Sequence, residues 1–103
     1  MYKLSFYVPQ DGLEAVKSAL FEAGAGRIGN YDRCCWQVKG CGQFRSLPGS
    51  SPAIGEQQAL TVLEEWKVEL VCENVLIEAA VQALKAAHPY EEVAYEVMKL
   101  EDI

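Results

Sequence analysis

The chain has a single histidine, two methionines, and no CxxC pair among its four cysteines. One histidine leaves too little imidazole for a multi-histidine metal centre. It also leaves a single histidine for any triad-like arrangement, in which Cys or Ser needs a neighbouring base. The vicinal Cys34-Cys35 pair forms no easy unstrained bridge, so Cys34, Cys35, Cys41 and Cys72 read as reduced thiols, mostly small packing residues, in a cytoplasmic protein. No apolar run is long enough to cross a bilayer, and Met1 to Phe6 alternates rather than forming a signal-peptide core, so neither a membrane partner nor secretion is expected. Positive charge is scarce as well. Nine basic against fifteen acidic residues give a net charge of −6, which repels phosphate backbones and argues against nucleic acid as a partner.

What is present is the composition of one soluble domain: 103 residues, half of them apolar. Sliding the chain along itself so that Tyr2 meets Trp66 aligns Tyr2–Asp32 with Trp66–Glu96 without a gap, and Lys3, Glu14, Ala15, Ala19, Leu20, Ala23 and Tyr31 meet identical residues. The apolar period changes from two to about 3.6 at the same point in both copies, which predicts strand then helix, twice. Tyr2, Leu4, Phe6 and Val8 share one strand face, as do Trp66, Val68, Leu70 and Cys72. Leu13, Val16, Leu20 and Ala23 form the covering stripe of the first helix, and Ile77, Ala80, Val81 and Leu84 that of the second. Asp11 with Glu14 forms a capping box and Asn74 an N-cap, while Gly24 and Pro89 stop the helices.

Further strands are expected over Arg33–Lys39 and Val93–Leu100, with Gly40 to Gly55 as a long excursion carrying a short strand near Gln43–Arg45. Two β-α-β units in one chain predict an α+β, ferredoxin-like sandwich: a four-stranded antiparallel sheet with both helices on one face. Tyr7, Val71, Cys35 and one register of Val93, Tyr95 and Val97 would make the other face apolar enough to be covered by another subunit or by the long loop.

Chemistry-bearing residues gather in two turns. Gly24-Ala25-Gly26-Arg27-Ile28-Gly29 spells GxGxxG, but it follows a helix instead of opening one, so no helix N-terminus faces a pyrophosphate. Its glycines serve a helix C-cap and tight turn; the alternative is a small anion held by the backbone amides beside Arg27, with Gly26, Gly29 and Tyr31 around it. The second turn is His88-Pro89-Tyr90-Glu91-Glu92. Pro89 pushes His88 out of helical geometry, so the imidazole sits at the junction of helix and strand, as a structural hydrogen-bonded residue. The alternative joins His88 with Glu91, Glu92 or a thiolate of Cys34 or Cys41 around a divalent metal, within one chain or across a subunit boundary. Glu91 and Glu92 are adjacent and point to opposite sides of a strand, so they make no facing catalytic acid pair.

The strings Ala23-Gly24-Ala25-Gly26-Arg27-Ile28-Gly29-Asn30-Tyr31-Asp32-Arg33-Cys34, Gly42-Gln43-Phe44-Arg45, Pro52-Ala53-Ile54-Gly55 and Ala83 through Tyr95 resemble, in order and over essentially the whole chain, the CutA-like insert domain of the YqfO-type, NIF-type dinuclear-metal proteins, here as a chain of its own. The resemblance implies a single ferredoxin-like domain related to CutA and PII, and a homotrimer. It does not carry over the family's metal site, which lies in flanking domains and needs several histidines, nor its hydrolase label. Cys35, Cys41 and Ser46 stand where the family usually has other small or polar residues or proline. The expected function is a non-enzymatic, oligomeric regulatory or small-ligand-binding module with no obligatory cofactor, using Gly26, Arg27, Gly29 and Tyr31 in one turn and His88, Tyr90, Glu91 and Glu92 in the other. A divalent-metal-binding or metal-tolerance protein is the alternative.

Overall fold

The computed structural model describes every residue from Met1 to Ile103. Strand β1 (Tyr2–Val8) leads through a short 3-10 turn (Gln10–Gly12) into helix α1 (Leu13–Glu22), and strand β2 (Trp36–Arg45) follows. Strand β3 (Leu60–Cys72), a second 3-10 turn (Asn74–Leu76), helix α2 (Ile77–Ala87) and strand β4 (Tyr95–Lys99) complete the chain. The repeat holds at the 3-10 turns and helix starts: Gln10–Gly12 and Leu13 in the first copy correspond to Asn74–Leu76 and Ile77 in the second. The sheet order is β2-β3-β1-β4, all pairs antiparallel, which is the ferredoxin-like arrangement.

Alternation in β1 and β3 makes the core. Leu4, Phe6 and Val8 with Val68, Leu70 and Cys72 meet Leu13, Val16 and Leu20 of α1 and Ile77, Ala80 and Leu84 of α2. Burying each of these larger apolar side chains contributes about 1.5–3 kcal/mol. Gly24 ends α1 at φ +98°, where the Gly24 and Ala25 amides bond back to Phe21 and Leu20, and a Cβ there would press on Leu76. His88 is extended, as the following proline requires. No helix is long and apolar enough to cross a membrane.

Four local expectations change. The strand expected over Arg33–Lys39 and the fragment near Gln43 are one strand, β2, since Gly40 and Gly42 sit in a continuous ladder opposite β3 and no turn intervenes. β3 starts at Leu60, while β1 pairs only with Trp66 to Cys72, so the outer β2–β3 hairpin projects past the helices as an arm and the molecule measures 45 × 24 × 24 Å. β4 is shorter than expected, Tyr95–Lys99. Neither helix has a side-chain N-cap: each is preceded by a 3-10 turn, and the Asn74 side chain instead accepts a hydrogen bond from the Met1 ammonium at 2.6 Å.

The open sheet face is also more polar than expected. Pairing of Phe6 with Tyr95 and Leu4 with Val97 turns Tyr95 and Val97 to the helix side, and Cys35 and Val93 pack against the core. The centre of the open face carries Glu69, whose carboxylate lies 3.2 Å from the Lys3 ammonium and 3.7 Å from that of Lys67, and Tyr7, whose hydroxyl donates to Glu96 at 3.1 Å. Exposed apolar side chains nevertheless stand on this same face, Trp36 opposite Glu69, Val38 opposite Lys67 and Met98 opposite Lys3, and Leu60 and Val62 are exposed farther along the arm.

Candidate functional site

Where β1 ends at Val8, the segment leaving α2 comes alongside. His88 is 6 % exposed; its Nε2 lies 2.7 Å from the Tyr7 carbonyl oxygen, and its Nδ1 accepts the Tyr90 backbone N–H at 3.1 Å. Since Nδ1 must offer a lone pair, the proton sits on Nε2 and the ring is neutral. Burial lowers the His88 pKa below its ordinary value, against the opposing pull of the Tyr7 carbonyl and the Glu65 charge. The imidazole meets the Tyr90 ring edge-on with centroids 4.7 Å apart, and Pro89 packs on Gly12, where a Cβ would come within 3.2 Å.

Tyr90 points across to the arm. Its hydroxyl donates to Glu65 Oε2 at 2.7 Å, and burial followed by that bond pushes its pKa far up, so it stays protonated. The Glu65 carboxylate lies over Gly42, where any Cβ would collide with Oε1; a glycine at this ladder position is what seats the acid. Glu91 accepts the Ser51 N–H at 2.8 Å and thereby ties the turn to the loop joining β2 and β3. That loop is folded on itself through the bond from the Gln58 amide to the Ser46 carbonyl and from the Ser50 hydroxyl to Leu47.

Between turn, arm and loop lies a cleft of about 440 Å³. Tyr7, Phe44, Pro52 and Ile54 supply apolar and aromatic surface, and Arg45, Glu65 and Glu92 supply charge. Arg45 makes no ion pair within the chain. The arrangement can hold a small molecule against aromatic surface while presenting one guanidinium and carboxylates.

Tyr90, Glu91 and Glu92 thus line the cleft, with His88 behind its wall. Gly26, Arg27, Gly29 and Tyr31 do not join them. Gly26 is buried at the opposite end of β3, its amide bonded to the Val71 carbonyl at 2.7 Å and its Cα against Phe21 and the Cys34 carbonyl. Arg27, Gly29 and Tyr31 lie in an exposed turn closed by reciprocal Ile28–Tyr31 bonds of 2.9 and 3.0 Å. The residues proposed as metal ligands are not gathered either, and no three His, Cys, Asp or Glu side chains are placed to hold an ion. Cys34 belongs to the Gly26 end, Cys41 is exposed on the arm opposite Glu64, and both His88 nitrogens are bound to backbone. Tyr7, Phe44, Arg45 and Glu65 are cleft residues that the sequence did not single out as a site. The Gly42-Gln43-Phe44-Arg45 string was their available signal, but Glu65 stands just before the second repeat and nothing local links it to Tyr90.

No family model matches the chain. The Mycobacterium tuberculosis protein named GTP cyclohydrolase 1 type 2 homolog is 45 % identical over 98 residues, covering 95 % of this chain and 26 % of the relative. A crystal structure of a Bacillus cereus protein related to NIF3 superposes with a TM-score of 0.81 at 37 % identity, over 98 % of this chain and 26 % of that one. The chain is related to part of the NIF3-type proteins and has a CutA-like fold. CutA1 from Pyrococcus horikoshii shares the fold of this NIF3-type domain, with a TM-score of 0.72 at 15 % identity over 100 % of this chain and 86 % of that one. The domain spans about a quarter of the length of the curated relatives it matches.

Proposed function

We propose that this NIF3-type CutA-like domain is a non-enzymatic, oligomeric regulatory module that binds a small ligand in the cleft between the His88–Glu92 turn and the β2–β3 arm. The observation carrying this reading is the cleft itself, with the unpaired Arg45 guanidinium and the Tyr90–Glu65 pair on its walls. Binding is favoured over turnover by the state of the ionisable groups. His88 spends both nitrogens on backbone and has none free for a substrate proton, Tyr90 remains a protonated donor, and no cysteine lines the cleft. The name carried by the longer relatives describes proteins about four times this span, and their activity is not assigned to this domain.

The test is calorimetric binding against a panel of small metabolites, with Arg45→Ala and Tyr90→Phe as controls. Saturable binding that weakens at least severalfold in Arg45→Ala supports the reading. Turnover of the bound compound, or binding indifferent to both substitutions, overturns it.

A further inference from the structure

We propose that protonation of His88 unlatches the His88–Glu92 turn from β1, so that one wall of the cleft stands only while the imidazole is neutral. Three geometric facts make the turn depend on one ring. Nε2–H holds the Tyr7 carbonyl at the end of β1, Nδ1 holds the Tyr90 amide, and the ring edge supports the Tyr90 ring whose hydroxyl reaches Glu65. A proton taken from solvent at Nδ1 replaces an acceptor by a donor directly opposite the Tyr90 N–H. That bond cannot survive, and two donors are left facing each other in a buried place. The Tyr7 bond tolerates the change because Nε2 remains a donor. Strain therefore falls on the 90–92 side, where Tyr90, Glu91 and Glu92 form the wall.

The surroundings do little to neutralise a charged ring. From β1 it meets a carbonyl, from the turn before α1 the uncharged Gly12–Pro89 contact, from its own turn the protonated Tyr90, and from β3 the single carboxylate of Glu65, already engaged by the Tyr90 hydroxyl. Burial outweighs Glu65, and the ring resists protonation until the solution is more acidic than an exposed histidine requires. On release, Tyr90 withdraws its hydroxyl from Glu65, and the Glu91 carboxylate gives up the bond it accepts from the Ser51 amide. The consequence for ligand binding rests on the function proposed above; the opening of the turn does not.

The experiment is performed on the ligand-free chain, so that its outcome is separate from whether a ligand is found. The one histidine gives a single set of imidazole nitrogen signals, followed by NMR from about pH 8 down to about pH 4.5, around the ordinary histidine range. Amide hydrogen exchange is followed in parallel. Expected are the Nε2–H tautomer at high pH and a midpoint below that of an exposed histidine. Protection of the Tyr90 amide should fall about tenfold as the ring titrates, the equivalent of one lost hydrogen bond, while β1 and β3 amides keep theirs. His88→Gln, which cannot titrate, should abolish the pH dependence at residue 90. A Tyr90 amide unmoved through the imidazole titration overturns the proposal, as does the same acid loss in His88→Gln or simultaneous loss of protection throughout the sheet. If His88→Gln does not fold, the wild-type titration decides alone.

Discussion

His88 satisfies two backbone groups that are distant in sequence, the Tyr7 carbonyl and the Tyr90 amide, and both lose their partner in His88→Ala. The variant is expected to lose about 1–3 kcal/mol, the cost of buried groups left unpaired, read by thermal or urea unfolding; an unchanged melting temperature would remove the histidine from the fold's support. The pH dependence has a definite sign. The folded-state pKa lies below that of the unfolded chain, so between the two values the unfolded state binds more protons and stability rises with pH. The contribution is complete above the unfolded value near 6.5 and lost as pH falls through the lowered folded value, and urea midpoints measured on both sides of that window should show it flattened in His88→Ala. The thiols divide by place. Cys72 is 2 % exposed among core residues, and burial raises its pKa. Cys72→Ser should therefore cost about 1–3 kcal/mol through a buried hydroxyl, while Cys34→Ser and Cys41→Ser stay close to wild type in the same assay. Stoichiometric zinc or copper, found by elemental analysis and lost in either of those two variants, would favour the metal reading instead.

At the scale of the element, the loop after α1 shows how a motif can be spelled correctly and mean something else. Gly26 and Gly29 both have positive φ, 80° and 57°, yet a Cβ on Gly26 would lie 2.8 Å from the Cys34 carbonyl oxygen and 2.9 Å from Phe21, while one on Gly29 meets nothing within 4 Å. Gly29→Ala should cost about 1–2 kcal/mol, the left-handed penalty alone, and Gly26→Ala distinctly more, because the turn must also separate from the helix. Chemical denaturation of the pair checks this, and equal losses would mean that the close approach at Gly26 is not tight. The helices themselves were legible because each apolar stripe is local, as Leu13, Val16 and Leu20 illustrate. The strands were legible only where one face is buried: β1 and the inner half of β3 alternate cleanly, whereas β2 and the arm, with Gly40, Gly42 and exposed Leu60 and Val62, have no covered face to impose a pattern.

For the whole molecule, assembly has to be argued from the arm. The open sheet face sets exposed Trp36, Val38 and Met98 around its salt-bridged lysines and glutamate, and β2 is an edge strand with its outer side unpaired, in a hairpin that also exposes Leu60 and Val62. Long apolar edges of this kind invite pairing with another chain. A homotrimer is the expected state in light scattering at about tens of micromolar, the concentration range of weak association, and Trp36→Glu should shift it toward monomer; a stable wild-type monomer would sink the trimer.

The doubled change of apolar period by itself determined the order of strands and helices, the ferredoxin-like class and the helix faces that meet the sheet, and the proline after His88 determined that the imidazole sits at a helix end. All of these follow from interactions within a few residues of chain. Only the tertiary structure decided which side of β4 faces the helices, because a strand's register is set by its partner, and the pairing of Phe6 with Tyr95 turned Tyr95 and Val97 inward. Only it could make the cleft, since Tyr90 meets Glu65 across 25 positions and Glu91 meets Ser51 across 40. Contacts at such separations leave no period in a sequence; they exist because β1 stops at Val8 while β3 runs on, and the turn after α2 packs into the place it leaves.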